Sequence, residues 1–116
     1  MIKKIVLIDD EIAFCQLFTA MIKVEGDYAV QSYTCAQDAL NNISKIQPQI
    51  VFVDMLMPDS DGGAIVKEIK EQLNPAPLIV MVTGMVAEDE IGNSAFPILA
   101  KPINKNSLKQ ILASID

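Results

Sequence analysis

The sequence predicts an α/β protein in which a parallel sheet carries helices on both faces. Strand-length apolar runs alternate along the chain with segments whose apolar residues recur at helical spacing. The runs Ile5 to Ile8, Ile50 to Val53 and Leu78 to Val82 are continuously apolar, which is typical of central strands buried on both faces. Because five strand segments alternate with helical ones, we expect a doubly wound five-stranded sheet with right-handed crossovers.

The first strand ends on two acidic residues, Asp9 and Asp10. A helix is predicted from residue 11 to about residue 25, just before Gly26. Its apolar positions recur at helical spacing: Phe14, Leu17, Phe18 and Met21. Asp10 is a candidate N-cap for this helix. Tyr28 to Tyr33 is predicted as the second strand. The second helix, which ends before Pro48, has its own apolar positions: Ala36, Ala39, Leu40 and Ile43.

The third and fourth strands also end on polar side chains. Ile50 to Val53 is followed by Asp54, and Leu78 to Val82 is followed by Thr83 and Gly84. A third helix between them is predicted from Ile65, Val66, Ile69 and Leu73.

The last part of the chain begins with the weakest helical pattern. Between Met85 and Ser94 acidic residues outnumber regularly spaced apolar ones, so we expect a shortened or irregular fourth helix. Ile98 to Ala100 is a brief fifth strand, followed by Lys101 and Pro102. The closing helix is predicted from four apolar positions: Leu108, Ile111, Leu112 and Ile115.

Length and composition exclude several classes of protein. At 116 residues the chain is expected to form one domain, residues 1–116. A net charge of −6 argues against non-specific binding to nucleic acid and against docking on anionic membranes. The chain has no His, and Cys15 and Cys35 lack CxxC spacing, so a zinc site is not indicated and both thiols are expected to be reduced and buried. The first apolar run is too short for a signal sequence or membrane span, which predicts a cytoplasmic protein.

Polar groups at the strand ends indicate the chemistry. Asp9, Asp10, Asp54, Thr83 and Lys101 all follow predicted strands, and ligands of open α/β sheets bind at the carboxyl edge. Each residue alone has an ordinary explanation, such as a helix cap or a surface lysine. Together, three close carboxylates repel one another by roughly 1 to 4 kcal/mol per pair and require cationic balance. Lys101 supplies one charge, and an all-oxygen site without His or Cys suits Mg2+.

The same set of groups suits formation of an acyl phosphate. Asp54 would be the nucleophile, and a metal would neutralise phosphoryl oxygens during in-line transfer. Lys101 and the Thr83 hydroxyl would bind the remaining oxygens. Gly84 would leave space beside the transferred group.

Four segments resemble the signature segments of the receiver domain of two-component response regulators: Ile8-Asp9-Asp10-Glu11, Asp54 to Gly62, Val82-Thr83-Gly84 and Lys101-Pro102. The resemblance implies a flavodoxin-like fold with strand order 2-1-3-4-5. It implies that Asp54 accepts a phosphoryl group from a sensor histidine kinase or a histidine phosphotransfer protein. It also implies slow self-catalysed dephosphorylation and an unknown output partner or effector domain.

The resemblance assigns further roles to particular residues. Asp9, Asp10 and Asp54 would bind Mg2+ with the backbone carbonyl of Leu56, and the Lys101–Pro102 peptide bond would be cis. Thr83 would act as a switch together with the residue three positions before the lysine. Family members usually have an aromatic residue there, whereas this chain has Ile98, with Phe96 two residues earlier.

Two other departures concern the fourth helix and the lifetime of the phosphorylated state. Only 17 residues separate Thr83 from Lys101, fewer than usual in the family by about one helical turn. Leu56 and Met85 are apolar at positions that flank the reaction site in the family, which predicts a long-lived phosphoryl group. Space filling at the rim is an equal alternative role for these two residues.

Two alternative functions remain open from the sequence. One is a receiver-like interaction module that acts without phosphorylation, since Ile98 replaces the usual aromatic switch. The other is an Asp-nucleophile phosphohydrolase. Enzymes of that class are expected to carry an Asp-x-Asp pattern on the first strand. Here the best nucleophile, Asp54, follows the third strand. We therefore expect a signalling domain and not an enzyme with a separate substrate.

Overall fold

The computed structural model describes residues 2–55, 57, 62–84 and 96–115. Five parallel strands form the sheet: β1 (Lys3–Ile8), β2 (Tyr28–Tyr33), β3 (Ile50–Asp54), β4 (Leu78–Thr83) and β5 (Ile98–Ala100). Their order is β2-β1-β3-β4-β5. Helices in the described residues are α1 (Ile12–Val24), α2 (Ala36–Ile46), α3 (Gly62–Gln72) and α4 (Lys105–Ala113). The predicted flavodoxin-like architecture is confirmed, and the shortened helix predicted between Met85 and Ser94 lies outside the described residues.

Alternation along the central strands builds two apolar layers. On β1, Val6 and Ile8 face one layer, which includes buried residues of α2 and α3. Ile5 and Leu7 face the opposite layer, which includes buried residues of α1 and α4. Because successive side chains of a strand point to opposite faces, each continuously apolar strand contributes to both layers. This explains why the central strands lack the polar alternation of a half-exposed sheet.

Local chemistry sets the helix ends. The second helix stops at Ile46 because Gln47 adopts the left-handed conformation, with φ of 54°, and Pro48 follows. The Asn104 side chain caps α4 by accepting hydrogen bonds from the backbone N–H groups of Asn106 (2.8 Å) and Ser107 (3.2 Å). Helix α3 ends one residue before buried Leu73.

The expectation that both cysteines are buried is wrong for one of them. Cys15 is buried on the inner side of α1, but Cys35 is exposed. Cys35 is the N-cap of α2 and has extended backbone dihedrals, so it precedes the apolar stripe of that helix and lies outside the core. Both thiols are free. No helix in the described part of the chain is long and apolar enough to cross a membrane.

Candidate functional site

The carboxyl edge of the sheet brings together side chains from four strands. Asp9 follows β1, Asp54 ends β3, Thr83 ends β4 and Lys101 follows β5. Asp9, Asp54 and Thr83 are 0%, 4% and 3% exposed, and they are the buried polar residues in the described part of the chain. Because burial of charged groups costs free energy unless they are paired or bind a cation, this edge is the natural candidate for a functional site.

Asp9 is held in place by three backbone contacts. Its N–H donates to the carbonyl oxygen of Tyr33 at 3.0 Å, and its Oδ1 accepts from the N–H of Glu11 at 2.9 Å. The Cys15 thiol donates to the Asp9 carbonyl oxygen at 3.3 Å.

The prediction that Asp10 caps α1 is wrong: the N-cap is Glu11, whose side chain makes no capping hydrogen bond. Asp10 is exposed and leaves its carboxylate available at the edge.

Three carboxylates form an acidic cluster at this edge: Asp9, Asp10 and Asp54. One oxygen from each lies within 4.8 Å of the others. Oδ2 of Asp9 is buried, and its partner among the residues that the structure describes is the Lys101 ammonium, 2.8 Å away. One ammonium does not neutralise three close carboxylates, so the cluster is suited to bind a further cation. An all-oxygen set of this kind matches the ligand preference of Mg2+, so the residues present fit that ion.

Lys101 brings a positive charge to the acidic cluster. Its Nζ lies 2.8 Å from Oδ2 of Asp9, as an ion pair, and donates to Oε1 of Glu11 at 3.0 Å. Burial alone lowers the pKa of an ammonium group. Here the neighbouring carboxylates, first of all those of Asp9 and Glu11, outweigh burial, and the pKa of Lys101 is raised above its ordinary value. Lys101 is therefore fully protonated at neutral pH.

The backbone places Lys101 against the end of β4. Its N–H donates to the carbonyl oxygen of Thr83 at 2.8 Å, and the Lys101–Pro102 peptide bond is cis, as is Asn74–Pro75. Next to Thr83, a Cβ added at Gly84 would meet no atom of the described residues within 4 Å. The side of the site next to β4 therefore combines a small hydroxyl residue with a residue that has no side chain.

Two residues in contact with Lys101 were not identified as site residues from the sequence. Glu11 pairs with its ammonium, and the Phe14 ring centroid lies 4.2 Å from Nζ. The sequence signal for Glu11 is its place directly after the acidic pair. Helical periodicity placed Phe14 in a core stripe, and no local pattern indicates its contact with a lysine far along the chain.

The remaining predicted positions have different outcomes. Leu56, whose backbone carbonyl was expected to bind Mg2+, lies outside the described residues. Ile98 begins β5 and pairs in register with Met81. Ile98 and Phe96 are both partly buried against the layer of α2 and α3, and Nζ of Lys70 lies 4.7 Å from the Phe96 ring centroid. The aromatic side chain near β5 therefore precedes the strand.

The fold and site define a class: doubly wound α/β proteins with an acidic cluster and a lysine at the carboxyl edge of a parallel sheet. Comparison with known families makes the assignment specific. The chain belongs to the response regulator receiver domain family, whose sequence model matches residues 5–113. It is thus a receiver domain of the kind found in two-component systems.

Individual relatives agree with this assignment. The transcriptional regulatory protein ZraR of Salmonella typhimurium is 30% identical over 112 residues, which cover 93% of this chain and 25% of that protein. The sensory transduction protein LytT of Bacillus anthracis is 30% identical over 115 residues, covering 94% of this chain and 45% of that protein. This chain therefore spans between a quarter and a half of the length of these relatives. A CheY-like receiver domain from Methylobacillus flagellatus is 26% identical, with a TM-score of 0.85 and full coverage of both chains.

Proposed function

We propose that residues 1–116 form one phosphorylation-dependent signalling domain in which Asp54 accepts a phosphoryl group from the phosphohistidine of a sensor histidine kinase or histidine phosphotransfer protein. The observation that carries the proposal is the convergence of Asp9, Asp10 and Asp54 within 4.8 Å, beside the ammonium of Lys101. A nucleophilic carboxylate, a cation site and a fixed positive charge are the parts that phosphoryl transfer to a protein side chain requires.

The transfer step exchanges one bond to phosphorus for another. A carboxylate oxygen of Asp54 bonds to phosphorus while the bond from phosphorus to the donor histidine nitrogen breaks. The leaving imidazole keeps the bonding electron pair and takes up a proton. Asp54 is held for in-line attack by its strand, since the N–H of the next residue, Met55, donates to the carbonyl oxygen of Val82 at 3.0 Å.

Asp9, Asp10 and Asp54 would hold Mg2+, with the backbone carbonyl of Leu56 as the further protein ligand that the family resemblance implies. When bound, Mg2+ supplies positive charge that offsets the charge on the phosphoryl oxygens. The Lys101 ammonium would bind another phosphoryl oxygen, and the Thr83 hydroxyl would donate to a third. Movement of Thr83 toward the phosphoryl group would transmit phosphorylation to the rest of the domain. Ile98 occupies the position that usually holds an aromatic residue in this relay.

Return to the unmodified state would use water. Water attacks the phosphorus of the aspartyl phosphate, inorganic phosphate leaves and the Asp54 carboxylate is restored. Small acyl phosphates would also donate to Asp54. The domain would therefore catalyse only its own modification and its reversal.

The partners are defined so far by chemistry. Response regulators interact with kinases and output domains, and we infer that this chain signals through such an output partner or domain. The charge of −6 disfavours direct contact with nucleic acid or an anionic membrane. Two free thiols suit a reducing compartment such as the cytoplasm, where we place the protein.

One observation favours an alternative: Ile98 occupies the switch position, which suits an interaction module that acts without phosphorylation.

The test of the proposed function is incubation with Mg2+ and acetyl phosphate or beryllofluoride, read by intact mass and backbone amide shifts, with Asp54→Asn as the matched control. We expect an adduct that depends on both Asp54 and Mg2+.

Three outcomes separate the candidate functions. An adduct absent from Asp54→Asn and from EDTA-treated protein supports the proposal. No adduct on the wild type rejects it and favours the phosphorylation-independent module. Sustained hydrolysis of a phosphate ester by the wild type, lost in Asp54→Asn, favours the phosphohydrolase.

A further inference from the structure

The Lys101 side chain is confined at both ends. Its backbone N–H donates a hydrogen bond to the carbonyl oxygen of Thr83 at the end of β4. At its other end, Nζ lies 2.8 Å from Asp9, 3.0 Å from Glu11 and 4.2 Å from the ring centroid of Phe14. Two carboxylates and one aromatic face therefore surround the ammonium, which would otherwise move on a flexible four-carbon stem.

The core of the protein fixes the Phe14 ring in turn. The Phe14 ring stacks on the Phe18 ring, with centroids 5.3 Å apart and planes inclined by 18°. Phe18 meets Phe52 edge to face at 4.9 Å and 87°. Phe18 and Phe52 are fully buried, and Phe52 lies two residues before Asp54 on β3. A row of three rings thus connects the Lys101 ammonium to the strand that carries Asp54.

We propose that Phe14 is a positioning residue for Lys101, which it holds at the acidic cluster for engagement of the phosphoryl group. The inference rests on the proposed phosphorylation of Asp54. The face of an aromatic ring attracts an ammonium group, so Phe14 favours the lysine conformation in which Nζ reaches the carboxylates. Phe14 itself exchanges no proton and touches no reacting atom.

Core packing alone is the competing explanation for Phe14, because its ring also contacts Phe18. The two explanations differ in what an aliphatic replacement does. Leucine or methionine can refill much of the space under the ring, but neither attracts a cation as an aromatic face does. Tyrosine preserves the aromatic face.

The experiment compares Phe14→Leu, Phe14→Met and Phe14→Tyr with the wild type in two measurements. The first is the NMR shift of the Lys101 methylene group next to Nζ in unmodified protein, which a ring face displaces upfield. The second is the rate of Asp54 modification by acetyl phosphate with Mg2+. Thermal unfolding verifies that each variant is folded. Lys70→Met is the matched control, since it removes the Lys70 contact to the Phe96 ring, 4.7 Å away.

We expect Phe14→Leu and Phe14→Met to lose the upfield shift and to slow modification by about three- to tenfold, the range of a partly exposed cation–π contact. Phe14→Tyr and Lys70→Met should match the wild type. In a Lys101→Met background, Phe14→Leu should cause no further slowing, since its effect acts through the lysine.

Several outcomes overturn the inference: an unchanged methylene shift in both aliphatic variants, an unchanged rate in both, or equal slowing with and without Lys101. Failure of the wild type to form any adduct is distinguishable, because it rejects the proposed function and with it any effect on transfer. In that case the methylene shift in unmodified protein still decides whether Phe14 holds the ammonium.

Discussion

The Nζ atom of Lys101 lies 2.8 Å from Oδ2 of Asp9, although these residues follow strands that are not neighbours. In the sheet, β3 and β4 lie between β1 and β5. The ion pair therefore crosses the carboxyl edge and joins the end of β1 to the end of β5. Asp9 is fully buried, while the Lys101 side chain is 17% exposed. The same contact thus contributes to the stability of the fold and to the charge balance of the site.

Lys101→Met should destabilise the protein in EDTA by roughly 1 to 3 kcal/mol, because it leaves the buried Asp9 carboxylate without its positive partner. Urea unfolding monitored by circular dichroism measures the change. Lys109→Met is the matched control: its pair with Glu25 spans 3.9 Å and the lysine side chain is 58% exposed, so we expect a loss under about 0.5 kcal/mol. Equal losses in the two variants would contradict the assignment.

The pH dependence of that difference follows from the direction of the Lys101 shift. The folded pKa of Lys101 is raised above its ordinary value of 10.5, so folding favours the protonated form. Its contribution is fully present below pH 10.5 and is lost as pH rises through the higher folded pKa. The gap between wild type and Lys101→Met should stay constant from about pH 7 to pH 9. A gap that closes within that interval would show that another group is responsible.

Asp10→Asn should raise the stability of the protein without Mg2+ and reduce the further stability that Mg2+ supplies. In EDTA it removes one of three close carboxylates and should stabilise the protein by about 1 kcal/mol. Added Mg2+ should stabilise the variant less than the wild type, because a ligand that binds the folded protein more weakly stabilises it less. Thermal unfolding across a Mg2+ series measures both effects. Asp27→Asn, an exposed acid in the turn after α1, should change neither quantity, and identical Mg2+ responses of Asp10→Asn and wild type would exclude Asp10 as a ligand.

The two cysteines should differ sharply in reactivity. Burial, and then the charge of Asp9, raises the pKa of Cys15 to about 11, so its thiolate is scarce at pH 8. Cys35 is exposed. With a thiol reagent such as DTNB, the folded wild type should show one fast equivalent, and Cys35→Ser should show none until denaturant is added. Fast labelling of folded Cys35→Ser would place Cys15 at an accessible position.

Ile98 should limit how far phosphorylation is transmitted. In the beryllofluoride adduct we expect large amide shifts at Thr83 and Gly84 and small ones at Ile98, because an aliphatic side chain has no ring to reorient. Ile98→Tyr should extend the shifts along β5, and Thr83→Ala should confine them to the acidic cluster in both backgrounds. Wild-type shifts at Ile98 as large as those of Ile98→Tyr would mean that the relay does not need an aromatic residue.

The strand ends could be predicted from the sequence because each polar residue directly follows an apolar run. Parallel pairing then places Asp9, Asp54, Thr83 and Lys101 at one edge without knowledge of distant contacts. The start of α1 was misplaced because three consecutive acids can each cap a helix, and only the fold shows that Asp9 accepts from the N–H of Glu11.

Contacts between distant parts of the chain could not be predicted in the same way. Glu11 and Lys101 lie 90 positions apart, and their pairing depends on where β5 ends relative to α1. The Phe14 side chain satisfies the helical pattern equally well as a core residue. Its position over the lysine follows from the stack with Phe18, which a periodic pattern does not contain.

The lifetime of the phosphoryl group depends on whether a nearby side chain can orient the attacking water. Leu56 and Met85 follow Asp54 and Thr83 by two residues, and neither side chain can accept a hydrogen bond strongly enough to orient water. We expect a slow loss of phosphate from the wild type. Leu56→Asn should shorten the half-life of the adduct by about three- to tenfold, because this position flanks the reaction site in the family and a polar side chain there would position the attacking water.

Loss of the adduct mass after removal of the donor gives the half-life directly. The matched control is Leu17→Asn, the same chemical change at a side chain that is 61% exposed on α1, and it should leave the half-life unaltered. If Leu56→Asn and Leu17→Asn both decay like the wild type, residue 56 only fills space, and the barrier to hydrolysis lies in the groups that hold the phosphoryl oxygens. That result would direct attention to Lys101, whose ammonium is the described cation nearest to the acidic cluster.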